Sequence, residues 1–158
     1  MIEGALAGGL VGTIVLTSGM RLAQELGWTR MDIPLLLGTA FSTRRSRAQV
    51  IGYTLHFLNG LLFSLVYAFV FDAAGEASLW FGALLGLVHA LFAGGPFANV
   101  LLPAIHPRMG TPWSDAEETP LLEPPGFLLW NYGRATAYVT LALHVLYGAI
   151  VGLLAGGL

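Results

Sequence analysis

Charged residues are scarce in this chain of 158 residues, where they make up 10% of the sequence. An ordinary soluble domain has roughly 25%. Cysteine is absent, which excludes disulfides, thiolate metal sites and cysteine nucleophiles. Lysine is absent too, so all seven basic residues are arginine, and the net charge of −2 gives no electrostatic reason to expect a nucleic-acid partner. The low content of charged residues excludes a typical water-soluble globule.

Hydrophobic residues make up 56% of the sequence, and they form four long uncharged stretches. The stretches are residues 4–20, 48–71, 77–107 and 135–158, and each is long enough to cross a bilayer. The pattern predicts one all-α integral membrane domain over residues 1–158, with transmembrane helices at about 3–22, 48–71, 77–105 and 134–157. The third helix contains Gly94, Gly95 and Pro96, and because proline lacks a backbone N–H we expect a kink there.

All seven arginines lie in the first and third connections between these helices. They are Arg21, Arg30, Arg44, Arg45, Arg47, Arg108 and Arg134. With four spans these two connections share one side of the membrane, which the positive-inside rule makes cytoplasmic. The sequence therefore predicts a bacterial inner (plasma) membrane protein with both termini outside, and with Arg44, Arg45, Arg47 and Arg134 at the lipid interface.

Two segments of these connections look unable to cross the membrane. Residues 31–38 are apolar but too short, which favours an interfacial segment. Residues 106–126 contain five prolines and the acids Asp115, Glu117, Glu118 and Glu123. We expect these acids to face the Arg44, Arg45 and Arg47 cluster, or to bind a soluble partner.

The two halves of the chain share short motifs. Residues 55–60 read LHFLNG and residues 143–148 read LHVLYG, at an offset of 88 residues. Residues 8–12 read GGLVG and residues 82–86 read GALLG. These matches predict two duplicated helical hairpins related by a pseudo-two-fold axis along the membrane normal, which would favour a site between the halves.

Several other fragments resemble uncharacterised bacterial families of small multipass, four-helix membrane proteins. They are RMDIP at 30–34 with LGT at 37–39, HPRMG at 106–110, PGF at 125–127 and HVLYG at 144–148. The resemblance implies a multipass fold, and it brings no activity, ligand or catalytic residue with it.

Glycines recur every fourth residue in three of the helices. The sets are Gly4, Gly8 and Gly12; Gly82 and Gly86; and Gly148, Gly152 and Gly156. Residues four apart share a helix face, and small residues let helix backbones approach closely in lipid. One interpretation is packing inside the bundle. The other is that one set faces outward to bind a partner subunit, for which Gly148, Gly152 and Gly156 are the candidates.

Three histidines, His56, His89 and His144, are expected at similar depth near the middle of the membrane. An ionisable group at that depth is a functional candidate by default. One hypothesis is that each donates a hydrogen bond between helices. The other is axial ligation of a tetrapyrrole, either haem or a chlorophyll-type pigment.

Signatures of catalysis are missing from the sequence. There is no H-E-x-x-H motif, phosphate-binding glycine loop or nucleophile elbow, so no catalytic residue is predicted. No metal site is predicted either, because no carboxylate lies at the depth of the histidines. The function that we infer is a non-catalytic accessory or scaffold subunit without a cofactor, in contact with lipids and other membrane subunits. The alternatives are a tetrapyrrole-binding subunit for electron transfer or light harvesting, and a small transporter or channel.

Overall fold

The computed structural model describes residues 1–110 and 122–157, and its helices follow the predicted spans. The helices are α1 (Ile2–Glu25), α2 (Ile33–Thr39), α3 (Arg45–Ala74), α4 (Leu79–Phe92), a π-helical segment (Ala93–Leu101), α5 (Leu102–Ile105), a 3-10 helix (Phe127–Tyr132) and α6 (Thr136–Gly156). Four segments are long and apolar enough to cross a membrane: α1, α3, α6 and the continuous helical stretch Leu79–Ile105. The all-α, four-span fold is therefore confirmed.

The turn between α3 and α4 is short and well capped. Gly75 ends α3 in the left-handed conformation with φ of 67°, which a residue with a side chain rarely adopts. The Ser78 side chain then accepts a hydrogen bond from the Phe81 amide, at 3.3 Å, and starts α4. These two caps allow the chain to reverse direction within a few residues.

The predicted kink in the third span takes the form of a π-helical segment around Pro96. Proline cannot donate to the preceding turn and its ring collides with the carbonyl there, so wider π turns accommodate it. The Asn99 side chain donates to two carbonyl oxygens of this segment, Gly94 at 3.1 Å and Gly95 at 2.8 Å. The helix thus stays continuous, with side-chain hydrogen bonds to the carbonyls near the proline.

The short apolar segment at 31–38 forms α2, which folds back against the start of α3. The Asp32 side chain caps it by accepting from the Leu35 amide at 2.9 Å. A Cβ added at Gly38 would overlap the Ala48 carbonyl, and one added at Gly52 would overlap the Pro34 carbonyl. The two helices therefore touch backbone to backbone, and α2 is more buried than an interfacial segment would be.

The glycine sets lie inside the bundle, at the contacts of α6 with its two neighbours. A Cβ added at Gly8 would come within 2.7 Å of the Val151 Cα on α6. On the other side of α6, Gly148 and Gly152 lie directly against Gly82 of α4. The expectation that Gly148, Gly152 and Gly156 face outward toward a partner is wrong, because the backbone of α4 and of its leading turn already covers this face.

Loops close one end of the bundle, which we call the arginine end because all seven arginines lie in or beside its connections. Arg30 donates to the Asn131 carbonyl at 2.5 Å and lies 3.8 Å from the Glu123 carboxylate. Tyr132 donates to the Glu123 carbonyl at 2.6 Å. Burial raises the pKa of Tyr132, and the charge of Glu123 raises it further, so this hydroxyl keeps its proton at neutral pH. Asp115, Glu117 and Glu118, predicted to face the arginine cluster, lie outside the described residues.

The order of elements is similar in the two halves, but the contacts between helices are unequal. Each half has a long helix, a short helical segment and a second long helix. Helix α6 packs closely against both α1 and α4, whereas the backbones of α3 and α4 scarcely meet. This asymmetry leaves a space between α3 and α4 inside the bundle.

Candidate functional site

A cavity of about 370 Å³ lies in the space between α3 and α4. His56 of α3, His89 of α4 and His144 of α6 all line it, so the structure brings together the three histidines that the sequence singled out. Cavities that hold small molecules and cofactors measure roughly 300–1,000 Å³. The histidine cavity, as we call it, has the size of a ligand site.

Helix periodicity explains why these side chains converge. On α6, Thr140, His144 and Tyr147 are four and three residues apart, which places them on one face. On α3 the same spacing relates His56 to Gly60 and Phe63. Both faces line the cavity.

His144 is held in one tautomer by its own helix. Its Nδ1 donates to the Thr140 carbonyl, one turn earlier, at 2.8 Å. A neutral imidazole that donates through Nδ1 keeps its lone pair on Nε2, at the far edge of the ring. A hydrogen bond of this kind from the second nitrogen is also what orients histidine ligands of metals and raises their basicity. His144 therefore offers a lone pair to an occupant of the cavity.

His89 is fixed by aromatic neighbours. Its ring stacks on Phe63 with centroids 3.8 Å apart, and its Nδ1 shares a hydrogen bond of 3.3 Å with the Tyr67 hydroxyl. It meets the His144 ring edge to face, with centroids 4.8 Å apart. These contacts join α3, α4 and α6 through side chains where the backbones of α3 and α4 stay apart.

Sequence reasoning missed several residues of the site, of which Tyr147 is the most important. Its hydroxyl donates to the Gly60 carbonyl at 2.5 Å and so ties α6 to α3. Phe63, Tyr67 and Thr140 were missed as well. The signal was present for Tyr147, which follows His144 by three residues, but aromatic residues are too common in apolar helices for spacing alone to single one out.

The walls of the cavity are uncharged. No Asp, Glu, Lys or Arg lines it among the described residues. Leu36 and Leu37 of α2 line its arginine end, whereas the exposed side chains Leu62, Phe92 and Leu101 form its rim between α3 and α4. The cavity thus opens sideways, toward the hydrocarbon region of a surrounding bilayer.

The remaining predicted residues lie outside this cavity. Arg44, Arg45, Arg47 and Arg134 are exposed side chains at the arginine end. The fourth histidine, His106, is buried there: its Nε2 donates to the Leu36 carbonyl at 3.1 Å, and its Nδ1 accepts from the Arg108 amide at 3.2 Å. Both ring nitrogens are therefore used, and His106 ties the loop to α2.

The three histidines do not form a bare metal site. Within residues 1–110 and 122–157 no group of three or more His, Cys, Asp or Glu side chains is arranged to hold a metal ion. Nor do His89 and His144 sandwich an iron: with metal–nitrogen bonds of about 2.0 Å, two opposed imidazole centres stand roughly 6 Å apart. Their centroids are only 4.8 Å apart. This spacing excludes His89 and His144 as the two opposed ligands of one metal.

Searches against family models, curated proteins and solved structures find no match to this chain.

Proposed function

We propose that the protein binds a lipid-soluble tetrapyrrole in the histidine cavity, with Nε2 of His144 as the axial ligand of its metal. The hydrogen bond from Nδ1 of His144 to the Thr140 carbonyl carries this proposal, because it fixes the tautomer that such ligation needs. The bound metal would supply the redox or light-absorbing chemistry, and the chain would hold and orient the macrocycle.

The surroundings of His144 support the same ligand class. The cavity is apolar, it opens between α3 and α4, and the stacked rings of Phe63 and His89 line it. A flat, largely apolar molecule can reach such a site from the lipid phase without crossing an aqueous surface. His89 and His56, which also line the cavity, would supply hydrogen-bonding or packing groups to the ligand.

The accessory-subunit hypothesis loses one of its supports. That support was the interpretation in which the face of Gly148, Gly152 and Gly156 binds a partner subunit. All three lie against α4 or its leading turn. Membership of a larger complex stays a prediction, as does the small transporter or channel, and neither is favoured by a specific contact.

The first test is the absorption spectrum of the native protein. Extracted from its native membrane in mild detergent, the protein should carry a strong Soret-region band that comigrates with it on size exclusion, because a ligand held by a metal–histidine bond dissociates slowly. Mass spectrometry of the extracted pigment would identify it. A folded but colourless native preparation would contradict the proposal.

We also propose that the arginine end is cytoplasmic, as the positive-inside rule requires. The test is labelling of single cysteines in this cysteine-free chain by a membrane-impermeant reagent on intact cells. Ala74→Cys, exposed at the end of α3 far from the arginines, should react from outside, whereas Thr43→Cys, exposed at the arginine end, should react only after the cells are opened. The reverse pattern would overturn the orientation.

A further inference from the structure

Two polar side chains of α3, His56 and Asn59, line the histidine cavity and make no hydrogen bond to any other described residue. Asn59 lies halfway along α3, so its depth is that of the hydrocarbon core. Its side chain is exposed at the cavity rather than packed between helices. Because a bilayer supplies no hydrogen-bonding solvent at this depth, an amide without a partner is costly there.

Other polar side chains of the spans do find partners within the chain. Thr54 and Ser64 of α3 donate to carbonyl oxygens of their own helix, at 3.0 Å and 2.8 Å. Asn99, the asparagine of the third span, donates to the carbonyl oxygens of Gly94 and Gly95. His56 and Asn59 differ in that their polar atoms face an open space of ligand size. This difference indicates that their partner is a group on the occupant of the cavity.

The spacing of the two residues allows them to bind the same group. They are three residues apart on α3, which places them on one helix face with roughly 5–6 Å between their Cβ atoms. His144, the proposed axial ligand, reaches the cavity from α6. A macrocycle held at its metal by α6 would therefore meet His56 and Asn59 with its periphery.

The chemistry of these side chains specifies the group that they bind. A neutral imidazole has one N–H in either tautomer, and an asparagine amide has two, so both residues can donate. A carboxylate on the ligand would be costly, since no charged side chain lines the cavity among the described residues. A carbonyl oxygen is neutral and has two lone pairs, one for each donor.

We infer that His56 and Asn59 form a second recognition point of the cavity and donate hydrogen bonds to a carbonyl oxygen on the ring of the bound tetrapyrrole. This inference rests on the proposed function and narrows its ligand class to tetrapyrroles that carry a ring carbonyl.

The test compares two zinc pigments that differ in this group. Zinc octaethylporphyrin has no carbonyl, and the corresponding zinc octaethyl-oxochlorin keeps the ethyl groups and carries one ketone on its ring. Each is titrated into the full-length protein, freed of native pigment and reconstituted in nanodiscs. Binding is followed by the absorption shift that ligation gives in the wild-type protein and that His144→Ala lacks.

The quantity to compare is the ratio of the two dissociation constants, because differences in lipid partitioning between the pigments are common to all variants and cancel. Asn59→Leu and His56→Phe keep the approximate shape of each side chain and remove its N–H groups. Each should reduce the preference for the oxochlorin about three- to tenfold, the effect of one neutral hydrogen bond. The matched control is Thr54→Val, which removes a polar group of α3 that does not line the cavity and should leave the ratio unchanged.

The infrared spectrum of the bound oxochlorin gives a second readout, which a merely structural role would not change. In the wild-type protein the ketone stretch should lie at lower frequency than in nanodiscs without protein, because a hydrogen bond weakens the C=O bond. In Asn59→Leu it should move back toward the protein-free value.

The outcomes separate the two proposals. If one variant leaves the ratio unchanged, the hydrogen bond assigned to that residue is wrong. If both do, if Thr54→Val changes the ratio as much as they do, or if the ketone stretch of the wild-type complex equals the protein-free value, the inference is overturned while the His144 site stands. If neither pigment gives a shift that depends on His144, the proposed function itself fails.

Discussion

His144→Ala is expected to abolish the Soret-region band of the protein and to lower its affinity for pigment more than about 100-fold. Loss of a hydrogen bond behind a metal ligand already costs about 10–100-fold in affinity, and here the ligand itself is removed. Absorption spectra and pigment titrations of the purified variant measure the effect. Free imidazole should restore the band, because the substitution leaves room for it beside the metal.

Two further variants test whether the effect is specific. His106→Ala removes a buried histidine that lies outside the cavity, so it should retain the pigment even though it loses hydrogen bonds to Leu36 and Arg108. His56→Ala should also retain the band. If the band is lost in His56→Ala and kept in His144→Ala, the axial ligand is His56 on α3, and the assignment to His144 is wrong.

The fold could be predicted because it depends mainly on a local property of the sequence, the length of its apolar stretches. Few charges and four long apolar stretches suffice to place the transmembrane helices, and the observed spans match the predicted ones within a few residues. The path of α2 could not be predicted. The same apolar segment could lie at the membrane interface or pack against α3. Gly38 and Gly52 allow the two backbones to touch, and this effect appears only when the two helices are brought together.

The candidate site was predictable only in part. Intramembrane histidines stand out in a sequence of low polarity, so His56, His89 and His144 could be named, together with their similar depth. Which helices lie next to each other could not be read from the spacing. The predicted two-fold symmetry relates α1 to α4 and α3 to α6, so it requires α1 and α6 to pack as α4 and α3 do. In the structure α1 and α6 are closely packed, whereas α4 and α3 are not. The cavity occupies the gap left at the second pair.

The glycine sets show why the direction of a helix face is hard to predict. Every helix of a bundle has two or more neighbours, and a set of glycines indicates close approach without saying to which neighbour. The sequence left open whether Gly148 and Gly152 pack inside the bundle or bind a partner, and the structure places them against Gly82 of the same chain. Close approach of two glycine faces explains why α4 and α6 form the most extensive helix contact.

Gly152→Leu is accordingly expected to prevent the bundle from folding rather than to release a folded protein from a complex. A Cβ at Gly152 would overlap the Ser78 carbonyl and lie 2.9 Å from the Gly82 Cα, so α4 and α6 would have to separate. Overpacking of this kind costs about 1–3 kcal/mol or more even where side chains can move, and here the obstacle is backbone. The yield of monodisperse protein after extraction and its midpoint of heat-induced aggregation in detergent are the measurements.

Comparing Gly152→Ala with Gly95→Ala isolates the effect of the contact between α4 and α6. Both add a single methyl group, but nothing lies within 4 Å of a Cβ at Gly95. Gly95→Ala should therefore stay within about 1 kcal/mol of the wild-type stability, the size of the propensity difference between the two residues. Gly152→Ala should lower the aggregation midpoint clearly below that of Gly95→Ala. A Gly152→Leu protein that stays monodisperse with the wild-type midpoint would show that this face is free, and would return Gly148, Gly152 and Gly156 to the role of a docking surface.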